Sequence, residues 1–214
     1  MKTEQIENWG GSFGKEYTDR NKFLNQSMDE FYLKEFGTTR KEMNAEFLGN
    51  LDKSARILEI GCNSGNQLIE LQKAGFSNLT GVDVNEYAID VAAKALPKAK
   101  ILKANIFELP FEDNSFDLVF TSGVLIHISP KDIGAAMKEI HRVAGRYIWG
   151  FEYFNEEYFE INYRGISDLL WKADFVKEYL KNVADLKVVK RRKFKFLYND
   201  NVNEMFLLEK PGKS

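Results

Sequence analysis

Ile57-Leu58-Glu59-Ile60-Gly61-Cys62-Asn63-Ser64-Gly65-Asn66 is the stretch around which the rest of the chain is arranged. It reads as a buried strand, a glycine turn and a helix start. An apolar run feeding into Gly-x-x-x-Gly ends the first strand of an α/β sheet and lets a ligand approach the backbone, because residues without Cβ permit both. Glu59 closes that strand with a carboxylate. Further on, Leu79-Thr80-Gly81-Val82-Asp83-Val84 repeats the pattern, at the spacing of about twenty residues that a strand-helix-strand unit gives when the second acid faces a ribose. Two acids therefore bracket one crevice.

The turn discriminates between ligands. A nicotinamide fingerprint, G-x-G-x-x-G, shapes its glycines for a pyrophosphate at a helix N-terminus. Here Asn63 stands where the middle glycine would be, and Glu59 would repel a diphosphate. An acid suits a ligand that carries an ammonium group. Glu59-x-Gly61-x-x-x-Gly65 resembles motif I of the class I S-adenosylmethionine-dependent methyltransferases, whose usual form is D/E-x-G-x-G-x-G, with Asn63 as the departure.

A chain of 214 residues is long enough for one α/β domain with a small cap, so a single domain is expected over 1–214, with a helical cap or lid over 1–50 and a Rossmann-like core over 51–214. Lys plus Arg total 30 against 32 Asp plus Glu, a net charge of −2, which gives no electrostatic argument for a nucleic acid partner. Cys62 is the single cysteine and cannot form an internal disulfide, and Met1 to Glu7 has no apolar signal core; a cytoplasmic protein is expected. No apolar run approaches the ~20 residues that cross a bilayer. No metal site is expected.

Residues 1–50 carry Trp9, Phe13, Tyr17, Phe23, Phe31, Tyr32, Phe36 and Phe47 and read as helical. The stretch Trp9 to Asn21, with three glycines between aromatics, makes poor helix and reads either as a strap on the sheet or as a lid over the cofactor. After the turn, 67–75 is the first crossover helix and 86–95 the second, stopped by Pro97. Residues 99–106 form a short third strand ending at Asn105. Phe116 to Ile128 is the fourth strand running on to His127, and a helix follows Pro130. Arg146 to Tyr153 is the fifth strand, ending near Glu152. A helix is expected over Ser167 to Leu180. Two alternating strands, 186–198 and 204–209, close the sheet as an antiparallel hairpin about Asn199-Asp200-Asn201. The expected architecture is a seven-stranded, mostly parallel sheet. In the basic run Lys190 to Lys195, alternation turns Phe194 and Phe196 inward and the lysines outward, which favours a solvated strand face over a nucleic-acid surface.

With these pieces placed, the chain resembles the pseudaminic acid biosynthesis-associated methylases over nearly its whole length. The likeness rests on Trp9 to Asn21, on Gly61 to Asn66, on Ser122-Gly123-Val124-Leu125-Ile126-His127-Ile128, and on Arg146-Tyr147-Ile148 through Glu152-Tyr153 to Tyr163-Arg164-Gly165, with Phe206 to Lys210 at the end. It implies S-adenosylmethionine as cofactor, S-adenosylhomocysteine as product, and methylation of a small, sugar-linked acceptor. By the resemblance, Glu59, Gly61 and Gly65 shape the pocket for the methionine part, Asp83 accepts from both ribose hydroxyls, and Asn105 with Ile106 holds adenine. Trp9, Tyr17, Arg20, Cys62, Asn63, Val84, Thr121 and Gly123 complete the expected cofactor set.

A carboxylate at a strand end is the stronger acceptor for two hydroxyls than an amide would be. Methyl transfer is an in-line displacement whose acceptor must lose a proton, and His127 is the first candidate for that base; a structural role for it stays open. Cys62 reads as a small buried residue, with no base placed beside it. Asn21, Glu152, Tyr153, Asn155, Tyr163 and Arg164 are the expected acceptor residues, joined by Tyr17 and Arg20. Hydroxyls, amides and aromatic faces suit a polyhydroxylated ligand, and Arg20 and Arg164 are forks for a carboxylate or phosphate, as in a sugar acid or nucleotide sugar. For Glu152 and Arg164, a buried ion pair is the alternative. The function expected is methyl transfer to oxygen or nitrogen; a cofactor-binding but idle scaffold of a glycan pathway is the other reading.

Overall fold

The computed structural model describes residues 1–21 and 27–211; Phe23 lies outside them. Four helices come first: α1 (Glu4–Gly10), α2 (Ser12–Arg20), α3 (Met28–Phe36) and α4 (Arg40–Leu48). Thr3 caps α1, while Ser27 with Glu30 and Thr39 with Glu42 form reciprocal capping boxes on α3 and α4, which satisfy the first free N–H groups of each helix. Gly11 breaks the chain between α1 and α2 in an extended conformation. Gly14 lies inside α2 for a steric reason: a Cβ there would come within 1.9 Å of the Trp9 carbonyl oxygen.

The remaining elements are β1 (Arg56–Ile60), α5 (Asn66–Lys73), β2 (Asn78–Asp83), α6 (Glu86–Ala95), β3 (Lys100–Lys103), β4 (Phe116–Ser122), a 3-10 turn (Leu125–His127), α7 (Ile133–Val143), β5 (Ala144–Tyr153), β6 (Phe159–Tyr163), β7 (Ile166–Lys172), α8 (Phe175–Asn182), β8 (Lys187–Lys195) and β9 (Val202–Glu209). Seven strands form one sheet in the order β3-β2-β1-β4-β5-β9-β8. From β3 to β5 all neighbours are parallel, and β9 runs antiparallel to both β5 and β8. The expected α/β, Rossmann-like sheet with a closing hairpin is therefore present. Successive residues of β1 face opposite layers. Ile57 packs with α4 and α5 through Met43, Phe47, Leu68 and Leu71, whereas Leu58 packs with α7 and α8 through Met137, Ile140, Phe175 and Tyr179. A central parallel strand is buried on both faces, which is why its sequence is a continuous apolar run.

The expected helix from Ser167 to Leu180 is not what forms. Residues 166–172 are strand β7, paired antiparallel with β6 in a separate two-stranded sheet, and helix begins only at Phe175, behind the capping side chain of Asp174. The turn explains it. Tyr163 pairs with Ile166, so the connection is Arg164-Gly165, with φ of +56° and +83°, the two-residue geometry that matches the twist of a hairpin. His127 also differs from expectation, since β4 stops at Ser122 and the histidine sits on the 3-10 turn beyond it.

The basic strand β8 is the sheet's edge, where charged side chains blunt pairing with another chain. Four of its six cations are matched internally: Lys190 and Arg192 meet Glu46, Arg191 meets Glu204 and Asp174, and Lys195 meets Asp200. Phe194 is buried, as the alternation predicts. Among the described residues no helix is long and apolar enough to cross a membrane.

Candidate functional site

At the carboxyl ends of β1, β2, β4 and β5 lies a cavity of about 1070 Å³, roofed by α1, α2 and the β6-β7 hairpin. Ligands of open α/β sheets bind at this edge, where the strand order reverses. The volume lies at the top of the range usual for small-molecule sites, about 300–1,000 Å³.

The turn after β1 is built for close approach. Gly61 has φ +70°, and a Cβ on it would meet Val124 Cγ2 at 2.5 Å. Asn63, the departure from the glycine motif, sits at φ +46°, a left-handed conformation that asparagine tolerates better than most residues. Its side chain also ties the turn to the helical roof. Asn63 Nδ2 donates to Thr18 Oγ1 at 2.9 Å, while its Oδ1 accepts from the Ser64 N–H at 2.8 Å. Asn66 Nδ2 donates to the Asn21 carbonyl at 3.2 Å, and Asn85 Nδ2 to the carbonyls of Trp9 and Gly11 at 2.9 and 3.0 Å.

Asp83 ends β2 facing this turn. One carboxylate oxygen accepts from the Asn63 N–H at 2.8 Å and the other from the Asn85 N–H at 2.9 Å. Burial pushes its pKa up, and the N–H groups of Asn85, Asn63 and Val84 pull it back down. Each oxygen keeps lone-pair capacity for a further donor. Glu59 is 2% exposed, and its Oε2 has no hydrogen-bond partner. Burial raises its pKa well above the carboxylate range, the Arg40 guanidinium opposes that rise, and Asp83 adds to it. A buried carboxylate oxygen without a partner in the cavity wall can accept from a cationic donor. A ligand with an ammonium at Glu59 and a diol at Asp83 fits these groups.

Arg40, which the sequence reading did not single out, is fully buried. Its Nε donates to Asn44 Oδ1 at 2.9 Å and its Nη1 to the Tyr32 hydroxyl at 3.0 Å, and the guanidinium lies 4.9 to 5.2 Å from the ring centres of Phe151, Trp149 and Tyr32. The signal was available: Arg40, Met43, Asn44, Phe47 and Leu48 recur at helical spacing and all face inward.

His127 is buried and lines the cavity, its ring 4.4 Å from that of Trp9 and 5.7 Å from that of Tyr163. Nδ1 lies 2.7 Å from the Leu169 carbonyl oxygen. A carbonyl can only accept, so Nδ1 carries the proton and Nε2 of the neutral ring is the acceptor. Burial lowers the imidazole pKa to about 4, against the opposing effect of the Leu169 carbonyl.

Of the residues singled out from sequence, Trp9, Tyr17, Arg20, Asn21, Glu59, Gly61, Cys62, Asn63, Asp83, Val84, Ile106, Gly123, His127, Tyr153, Tyr163 and Arg164 line the cavity. Five do not. Gly65 is turned toward α6, where a Cβ would meet Leu96 Cδ1 at 2.8 Å. Asn105 is held in a local turn by the Phe107 N–H and donates to the Met1 carbonyl at 2.7 Å; Ala104 and Ile106 line the cavity there instead. Asn155 Nδ2 donates to the Glu157 carbonyl at 2.6 Å. Glu152 is 1% exposed and serves the backbone: both oxygens accept from the Val124 N–H at 3.0 and 3.2 Å, and the Thr121 hydroxyl bonds it as well. Burial pushes Glu152 up to about 7 in spite of these donors. It fixes the 3-10 turn that carries His127, and it makes no ion pair with Arg164, which is exposed at the hairpin tip. Cys62 is buried and its thiol pushed up by burial, consistent with a packing residue.

The far end of the cavity was largely unforeseen. Tyr32, Glu35 and Phe36 of α3, Lys172 at the end of β7, and Phe196, Asn201 and Asn203 of the closing hairpin line it together with Tyr153. Burial raises the Glu35 carboxyl, and Tyr198 donates its hydroxyl to it.

Residues 58–146 match the family model of a methyltransferase domain. Over 117 residues the chain is 32% identical to an uncharacterized methyltransferase of Schizosaccharomyces pombe, a match covering 49% of this chain and 41% of that protein. Among solved structures, a SAM-dependent methyltransferase of Methanosarcina mazei has a TM-score of 0.65 at 21% identity, over 77% of this chain and 96% of its own. The magnesium protoporphyrin IX methyltransferase of Synechocystis PCC 6803, with bound SAH, has a TM-score of 0.71 at 14% identity, over 96% of this chain and 98% of its own. The chain spans less than half the length of the curated relatives it matches. Strand order, glycine turn and paired acids agree with these likenesses: residues 58–146 are similar to a methyltransferase domain, and the chain has the fold of the class I S-adenosylmethionine-dependent methyltransferases, whose cofactor its site fits.

Proposed function

We propose that this protein transfers a methyl group from S-adenosylmethionine to an oxygen or nitrogen of a small polar acceptor, a sugar acid or a nucleotide-sugar-derived intermediate of surface glycan biosynthesis. The observation that carries the reading is the pair of carboxylates, Glu59 and Asp83, facing one cavity. When bound, the cofactor supplies a methyl group on a sulfonium, activated for displacement without help from the protein. The chain's work is then to bind, orient and take a proton.

Glu59 receives the ammonium of the methionine part, Asp83 receives the ribose hydroxyls, and Val84 and Ile106 flank the base. Tyr17, Tyr153 and Tyr163 present hydroxyls and ring faces to the acceptor from three different elements, which suits a polyhydroxylated ligand. The resemblance to pseudaminic acid-associated methylases supports the sugar-acid class. His127 Nε2 takes the acceptor's proton. A base of low pKa suffices when the hydroxyl becomes acidic only as its bond to carbon forms.

Incubating the protein with methyl-labelled cofactor and a panel of sugar acids and nucleotide sugars tests the reading: a labelled product formed together with S-adenosylhomocysteine is expected. Cofactor binding without transfer to any member would favour the idle scaffold. His127→Gln is expected to lower turnover about a hundredfold, within the usual range for a general base, and to leave S-adenosylhomocysteine affinity unchanged. The same variant has a pH signature. The unfolded imidazole binds a proton below about pH 6.5, whereas the folded one does so only near 4, so the wild type loses stability as pH falls between those values. Over that window the wild type should lose about 1.4 kcal/mol per pH unit relative to His127→Gln. Loss of stability at all pH values with unchanged turnover would make His127 structural.

A further inference from the structure

We propose that Lys172 receives an oxyanion, a carboxylate or phosphate, carried by the acceptor; this rests on the reading that the far end of the cavity holds the acceptor. Lys172 ends β7 and lines that chamber. Its ammonium donates to Asn201 Oδ1, a neutral amide, and lies 5.5 Å from the centre of the Tyr153 ring. It makes no ion pair among the described residues. Its neighbours are treated differently: Lys177 meets Glu157, Arg191 meets Asp174 and Glu204, and Lys195 meets Asp200. A half-buried cation whose contacts are a neutral amide and a ring face leaves donors that a ligand's anion can take.

The forks expected from sequence are less suited. Arg20 is engaged with Glu16 at 3.7 Å, and Arg164 is exposed at the hairpin tip. Lys172 is set deeper, and burial pushes its pKa down.

The groups around it specify the rest of the ligand. Asn203 Oδ1 is buried and without a partner, an acceptor for a hydroxyl. Tyr153 and Phe196 stack at 5.9 Å and 24°, giving a flat wall. Glu35 places a carboxyl group in the chamber, an acceptor for hydroxyls such as that of Tyr198. The class that fits is a hydroxylated ring with one oxyanion, oriented with that group at Lys172.

Calorimetric titrations on protein saturated with S-adenosylhomocysteine test this with glucuronate, glucose and sulfate as probes. Glucuronate should bind saturably to the wild type and at least about tenfold more tightly than glucose. Lys172→Gln should remove that preference, Lys172→Arg should retain most of it, and sulfate should compete with glucuronate. Equal affinity for glucuronate and glucose, no saturable binding of either anion, or an unchanged preference in Lys172→Gln would overturn the assignment. S-adenosylhomocysteine is titrated first. If it fails to bind while the anion preference persists, the methyltransferase reading falls and the Lys172 site stands; if it binds and the anions do not, only the Lys172 site falls.

Discussion

Asp83→Ala is expected to weaken S-adenosylhomocysteine binding by at least about a hundredfold. Two hydrogen bonds from ribose hydroxyls to a carboxylate are worth about 1.5–3 kcal/mol each, and every 1.4 kcal/mol is about tenfold in affinity. The geometry adds to the loss, because the same carboxylate holds the N–H groups of Asn63 and Asn85. Removing it releases the turn after β1 and the entry to α6 together. Asp83→Asn should be milder, since one oxygen is kept, yet its NH₂ must then face one of those N–H donors. Titration calorimetry on both variants reads the effect. Affinity within threefold of wild type in Asp83→Ala would remove the ribose assignment.

The largest effect on folding is expected from Arg40→Ala, at about 3 kcal/mol, in the range for large buried side chains. The substitution empties a site enclosed by Tyr32, Trp149 and Phe151 and strips partners from Asn44 Oδ1 and the Tyr32 hydroxyl. It also takes away the cation that opposes the rise in the Glu59 pKa. A carboxylate with a raised folded-state pKa binds its proton more tightly folded than unfolded, so its ionisation costs stability as pH rises past the unfolded value. Without Arg40 that cost grows. Thermal unfolding should fall by about 10 °C for a chain of this size, with the deficit growing only at a pH where Glu59 of the wild type ionises. An unchanged unfolding temperature in Arg40→Ala would remove it from the packing of the core.

The glycine turn and its two acids were legible because their chemistry is local. A strand end, a left-handed turn and a helix start lie within ten residues, and Asp83 is reached through one crossover. The central strands were legible because burial on both faces leaves only apolar residues at Ile57, Leu58 and Ile60. The β6-β7 hairpin was not. Its turn uses Arg164 at positive φ, a position where Asn or Asp is the usual signal, and the apolar spacing of α8 at Phe175, Val176 and Tyr179 runs back into Leu169 and Leu170 as if helix continued. Lys172, Asn201 and Asn203 meet only once that hairpin and the β8-β9 turn have both folded, so no local pattern announces them. Glu152 was misplaced for a different reason: its position at the end of β5 was read correctly, but its carboxylate is spent on the backbone of residues 124–126. Gly65 shares the motif with Gly61 but not its place in the pocket, because its missing Cβ serves the contact with α6.

The closed roof ties these parts to function. Thr18, Asn21 and the carbonyls of Trp9 and Gly11 are all bonded from the glycine-turn side, through Asn63, Asn66 and Asn85. The asparagine that replaces a motif glycine thus does what glycine could not, joining the roof to the turn while keeping the left-handed backbone.

Titration of the purified protein with S-adenosylhomocysteine, with NADH as control, tests the central claim most directly. One-to-one micromolar binding of S-adenosylhomocysteine and none of NADH is expected, because Glu59 and Asp83 accept from an ammonium and a diol and repel a diphosphate at the turn. Binding of NADH, or of neither ligand, would contradict it.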